Sequence, residues 1–274
     1  MSDRRRALDF GKSKPDFRRN NPAYGRGTQA EPTAAPVKHG PTRIGLVGAT
    51  GLIGTRVIEI ASMSDEARIV GIARREARLP DGARMEMFVA ETEKWGEVLE
   101  AVQPRSLICA LGTTMRKVGG DEDAFRAVDQ DLILATAEAA RNAGVPNMVL
   151  ISAAGADPTS KNFYLRVKGE TEMLASKVGF KRFDILRPGL LRGTRQDDFR
   201  LVEKVAMLAS PVVDPLMPDK WTKYRSIDAD LVGEAALGLG MRRAAGRFTH
   251  DNEAMKRAAR EWRNAVERHA PKQD

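Results

Sequence analysis

The chain has 274 residues, 42% of them hydrophobic and 30% charged, which suits one large α/β domain or two small ones. Its formal charge of +8 sits mostly in residues 1–43, where ten Lys or Arg face four Asp or Glu; the remaining 231 residues carry about +2, which argues against a nucleic-acid groove in the folded body, since such a groove needs clustered cations. The single cysteine, Cys109, excludes an internal disulfide, and His39, His250 and His269 show no metal-ligand spacing, so no metal is expected.

Residues 1–42 are rich in Pro, Gly, Arg and Asn and lack an apolar period. Such a segment buries too little to offset the entropy of ordering and reads as a disordered basic tail. No apolar run follows "RRR", which weighs against a signal peptide, and a transit peptide stays open although Asp3, Asp9 and Asp16 count against it. As a docking arm the tail would suit a protein or an anionic membrane, with "ALDF" and "PDF" as apolar anchors.

From Arg43 the pattern changes. "RIGLV" reads as a strand, "GATGLIG" as a turn, and "TRVIEIAS" as a helix. "ARIVGIA" and "RMEMFVA" read as further strands and "EKWGEVLEAV" as a helix. "SLICAL" is a fourth strand, followed by a loop and the helix "DAFRAVDQDLILATAEAARNAG". "NMVLIS" is a fifth, then the helix over "NFYLRVKGETE", then a sixth strand, "RFDILRP". Nearly continuous apolar strands alternating with helices indicate a parallel sheet covered on both faces. Helices are also expected at "DDFRLVEKVAMLAS" and "DADLVGEAALGLG", in a small, mostly helical substrate region. The last expected helix places Met255, Ala259, Trp262 and Val266 on one face. The expected layout is a tail over 1–42, a Rossmann-like doubly wound domain with its substrate region over 43–250, and a terminal helix over 251–274.

Gly48-Ala-Thr-Gly51-Leu-Ile-Gly54, between a strand and a helix, is the context in which a glycine triplet binds a dinucleotide diphosphate. The N–H groups from Thr50 to Gly54, those of Leu52 and Ile53 included, would face the phosphates. After the second strand, where an acidic residue would bind a ribose 2′-hydroxyl, stand Arg74 and Arg75. Two guanidiniums suit a 2′-phosphate, so NADP is expected over NAD. Leu111, Gly112 and Thr113, beyond the fourth strand, would line the same crevice. Ser152 ends the fifth strand, twelve residues before Tyr164. Tyr164 and Lys168, four apart, share one helix face.

In this order Gly48-x-x-Gly51-x-x-Gly54, Ser152, Tyr164-x-x-x-Lys168 and Arg187-Pro188-Gly189 resemble the short-chain dehydrogenase/reductase superfamily. The runs "AFRAVDQDLILATAEAA", "ISAAGAD" and "LRPGLLRGTRQ" are similar to its atypical branch containing the HIV Tat-interacting protein 2 oxidoreductases. The resemblance, over residues 43 to about 240, implies hydride transfer to or from a small carbonyl or alcohol by a monomer or homodimer. It implies Tyr164 as proton carrier, its pKa lowered by Lys168, and Ser152 as a hydrogen-bond partner of the same oxygen. Lys168 would also hold the nicotinamide ribose, with Pro188 and Gly189 lining the nicotinamide. Where the superfamily places an Asn that holds a relay water, this chain offers Asp129 or Gln130. The competing reading is a non-catalytic NADP(H)-binding regulatory or scaffold protein that uses the tail; a sugar-nucleotide epimerase would need a larger C-terminal domain. A cytoplasmic location is expected.

Overall fold

The computed structural model describes residues 40–76, 79–192 and 225–269. The proposed tail (except residues 40–42), the helix expected over 197–210 and the proline-containing stretch after it lie outside these residues.

The strands are β1 (Thr42–Val47), β2 (Ala67–Ala73), β3 (Met85–Val89), β4 (Ser106–Cys109), β5 (Asn147–Ile151), β6 (Arg182–Leu186), β7 (Leu191–Arg192), β8 (Ile227–Asp228) and β9 (Gly246–His250). Seven form one sheet in the order β3-β2-β1-β4-β5-β6-β9, and all six pairings are parallel. The strand order reverses between β1 and β4, where the crossovers change sides. This is the doubly wound Rossmann-like sheet that the apolar strands imply.

Two cores sandwich the sheet. On one face α1 (Leu52–Ser62), α6 (Ala229–Gly240) and α7 (Asn252–His269) bury Val57, Ile58, Val232, Met255 and Trp262 against Ile44, Leu46 and Ile108. On the other, α2 (Trp95–Val102), α4 (Leu132–Asn142) and α5 (Phe163–Ala175) bury Leu99, Ile133, Ala137 and Ala175 against Val47, Leu107 and Leu150. Val266 is partly buried against the first core, so the terminal helix presents the expected face.

Three features differ from the sequence reading. β9, "GRFTH", has one large apolar residue and exposes most of its length, so it carries no strand periodicity. It is held by pairing with β6 and by the Arg182 guanidinium 4.3 Å from the Phe248 ring centre. The two-residue strands β7 and β8 pair in a separate small sheet. The long helix before β5 is interrupted: α3 (Glu122–Arg126) leads into a π turn over Ala127–Asp131 before α4.

Candidate dinucleotide and redox site

Every expected site residue lies at or just beyond the carboxyl ends of β1, β2, β4, β5 and β6, or on α1 and α5. Gly48 has φ +84°, and a Cβ there would stand 2.4 Å from the Ala110 carbonyl oxygen. Only glycine lets this turn press against the β4 loop. At Gly54 a Cβ would meet the Gly48 carbonyl oxygen at 2.1 Å, so the helix packs closely on the turn. Gly51 is the N-cap of α1, with no side chain bonded to the helix start and no acidic residue in the first turn. Those N–H groups are thus available to an anion. Thr50 is exposed at the turn, whereas Ile53 is buried in the core and offers only its backbone.

Beside the turn lies a cavity of about 220 Å³ lined by Gly48, Thr50, Arg74, Arg75, Glu76 and Leu111. Trp95 and Ile72 close its inner wall; the Trp95 indole donates to the Ala90 carbonyl at 3.0 Å. Trp95 and Glu76 were not singled out from sequence. Glu76 follows the arginine pair directly and was legible; Trp95 reaches the cavity only through the fold.

The second half of the site lies above β4 and β5. Lys168 is buried, with Nζ 2.6 Å from Asp129 Oδ1, and Asp129 is fully buried. Asp129 Oδ2 accepts the Thr113 N–H at 2.7 Å. A Cβ on Gly112 would lie 3.4 Å from Asp129 Oδ1 and 3.8 Å from Lys168 Nζ, so the buried ammonium packs against the β4 loop. Lys168 Nζ also stands 6.0 Å from the centre of the Tyr164 ring, which Phe125 meets edge-on at 5.8 Å.

Two expectations change here. The Tyr164 phenol is raised above the usual tyrosine range, not lowered: burial pushes it up, Lys168 pulls it down, and Asp129 pushes it up again. Ser152 is not directed to Tyr164. Its hydroxyl donates to Glu172, two turns further along α5, which is also bound by Arg187 Nε at 3.0 Å. Arg187 is half-buried, and its N–H donates to the His250 carbonyl. Pro188 is buried with its carbonyl accepting from Ala154, and the Gly189 N–H donates to Asn252 Oδ1 at 3.1 Å. These two residues therefore pin the β6 exit against the β5 loop.

With this geometry in hand, comparison with known proteins is informative. A family model described as NAD(P)H-binding matches residues 48–210. Protein fmp52, mitochondrial, of Emericella nidulans is 34% identical over 220 residues, covering 77% of this chain and 92% of its own. Among solved structures, MoeE5 with UDP-glucuronic acid and NAD aligns with a TM-score of 0.59 at 16% identity, over 77% of this chain and 76% of its own. Thermus thermophilus UDP-glucose 4-epimerase with NAD aligns at 0.56 and 20% identity, over 82% and 84%. The curated relatives point to the Fmp52 proteins rather than specifically to the Tat-interacting branch.

Two further expectations are corrected by these relatives. NADP over NAD does not stand: MoeE5, the Bordetella bronchiseptica enzymes WbmH and WbmG, and the Thermus thermophilus epimerase are each solved with NAD. Glu76 lines the same cavity as Arg74 and Arg75, and its carboxylate is an acceptor of the kind a free ribose hydroxyl needs and the arginines lack. The cytoplasmic expectation is likewise overturned, since the Fmp52 relatives are named as mitochondrial proteins. A lone buried cysteine fits any compartment without disulfide chemistry and could not discriminate among them.

Proposed function

The chain belongs to the NAD(P)H-binding family, as an Fmp52-like member with a Rossmann fold, and on that premise we propose that it is an oxidoreductase that uses NAD. Its substrate would be a small molecule with a carbonyl or alcohol group. The observation that carries this reading is the Tyr164–Lys168 pair, with the ammonium 6.0 Å from the phenol ring centre and packed against the β4 loop at Gly112.

The diphosphate would rest on the uncapped start of α1, and the adenosine end would occupy the cavity between the glycine turn and Arg74–Glu76. Lys168, ion-paired with Asp129 at 2.6 Å, would offer ammonium donors to the ribose hydroxyls. A reduced dinucleotide supplies the hydride when bound. As the carbonyl carbon gains that hydride, the carbonyl oxygen takes the Tyr164 proton, and the phenolate left behind recovers a proton from water. Alcohol oxidation runs the same steps backwards. Ser152 donates its proton to Glu172, so this reading assigns proton donation to Tyr164 rather than to Ser152.

Tyr164→Phe tests the reading. Turnover of a carbonyl panel should fall by about 10²- to 10⁴-fold while dinucleotide binding, read by protein fluorescence, persists. Unchanged turnover would sink the proposal. Dinucleotide binding without turnover of any carbonyl or alcohol would favour a regulatory protein that binds the dinucleotide without reaction.

A further inference from the structure

The proposed chemistry needs Lys168 but does not need a carboxylate beside it, yet one is built in. Asp129 is fully buried and is held through both side chain and backbone. Its two carboxylate oxygens meet Lys168 Nζ at 2.6 Å and the Thr113 N–H at 2.7 Å. Its carbonyl accepts from Thr171 Oγ1 at 2.9 Å, across to α5. The π turn over Ala127–Asp131 is what presents side chain and carbonyl of this one residue to that helix.

We propose that Asp129 is a positioning residue that balances the Lys168 charge and thereby keeps Tyr164 in its protonated, proton-donating form. The assignment rests on the oxidoreductase reading above. An isolated ammonium near a phenol favours the phenolate, the form that oxidation requires. An ammonium with a carboxylate at 2.6 Å presents a dipole instead, whose influence on a neighbour falls off more steeply.

The charged and titratable groups around this centre come from four elements. α5 supplies Lys168 and the π turn supplies Asp129. β4 supplies Cys109, whose thiol burial pushes up to about 12 and which is therefore uncharged. Arg126 of α3 and Glu170 of α5 bind each other. The directions agree with this picture. Burial lowers Lys168, but Asp129 and Tyr164 outweigh it and leave the ammonium stabilised. Burial raises Tyr164, Lys168 opposes and Asp129 restores the rise.

Asp129→Asn keeps the size and can still accept the Thr113 N–H. Tyrosinate absorbance of the dinucleotide-free, full-length protein, with Tyr164→Phe subtracted to isolate one residue, reads the phenol directly. The Tyr164 step should move down by about one pH unit or more. An unmoved titration overturns the proposal. The charge-neutral double variant Asp129→Asn/Lys168→Met guards against misfolding from a lone buried charge. Its Tyr164 step should return to the wild-type range or above, and a step that stays low shows the effect does not pass through Lys168 and also overturns the proposal. The oxidoreductase reading fails separately, through Tyr164→Phe retaining full turnover, because the titration needs neither substrate nor dinucleotide.

Discussion

Tyr164 and Cys109 show how burial governs reactivity in this site. A neutral acid with a raised pKa stays protonated to higher pH, so carbonyl reduction should hold its rate past the ordinary tyrosine range, roughly pH 10, and fall only above it. The same shift bears on stability. The folded state favours protonated Tyr164, so this contribution is fully present below the unfolded pKa and is lost as pH rises through the folded one. Cys109 is buried, with its thiol pushed to about 12. It should resist alkylation in the native protein and react fully in denaturant, and mass spectrometry of the two samples decides the point. The Tyr–Lys spacing was legible in the sequence. The partners that set its chemistry were legible only in part. Asp129 was reached only with Gln130 as one of two substitutes for the superfamily's Asn, and its pairing with Lys168 depends on a π turn that no spacing rule announces. Glu172 was not legible: it reads as a surface acid in "KGETE" and proves to be buried against Ser152 and Arg187.

At the level of single elements, α5 is placed by contact as much as by sequence pattern. A Cβ at Gly169 would lie 2.3 Å from the Asp157 carbonyl carbon and from Pro158 N. The loop leaving β5 therefore lies directly on the helix that bears Tyr164 and Lys168. Gly169→Ala should destabilise the fold by about 1–3 kcal/mol, the usual range for overpacking, and should also lower dinucleotide affinity by displacing Lys168; thermal unfolding with and without NAD separates the two effects. α3 offers a milder case. The Asp121 carboxylate accepts from Asp123 N and Ala124 N at the helix start. Asp121→Ala should cost about 1 kcal/mol, visible as a lower denaturation midpoint, without touching the site. Strands β1, β2, β4 and β5 were readable because their buried residues are mostly apolar, and β6 because Phe183, Ile185 and Leu186 flank its buried ion pair. β9 was not, because an edge strand needs little apolar content when its pairing partner and a stacked guanidinium hold it.

Across the molecule, the last edge of the sheet is secured by charge. Arg182 is buried and forked onto Asp184 at 2.6 and 2.8 Å, and His250 Nε2 reaches the same carboxylate at 2.8 Å from β9. Asp184→Ala leaves a buried guanidinium without its partner and should cost about 3–5 kcal/mol. Urea denaturation checks this, and Asp184→Leu/Arg182→Met, which removes both charges, should lose much less. No periodicity in "RFDIL" and "GRFTH" reveals such a cluster, since it joins strands more than sixty residues apart.

Because all seven principal strands run the same way, every candidate reactive group opens on one rim of the sheet, and the opposite rim is left to turns at Gln103, Gly144 and Gly179. The protein is chemically one-sided. A reporter peptide spliced into one of those far turns would have the full length of the strands between it and the nicotinamide, so labels or tethers can be attached there while the reacting end stays clear.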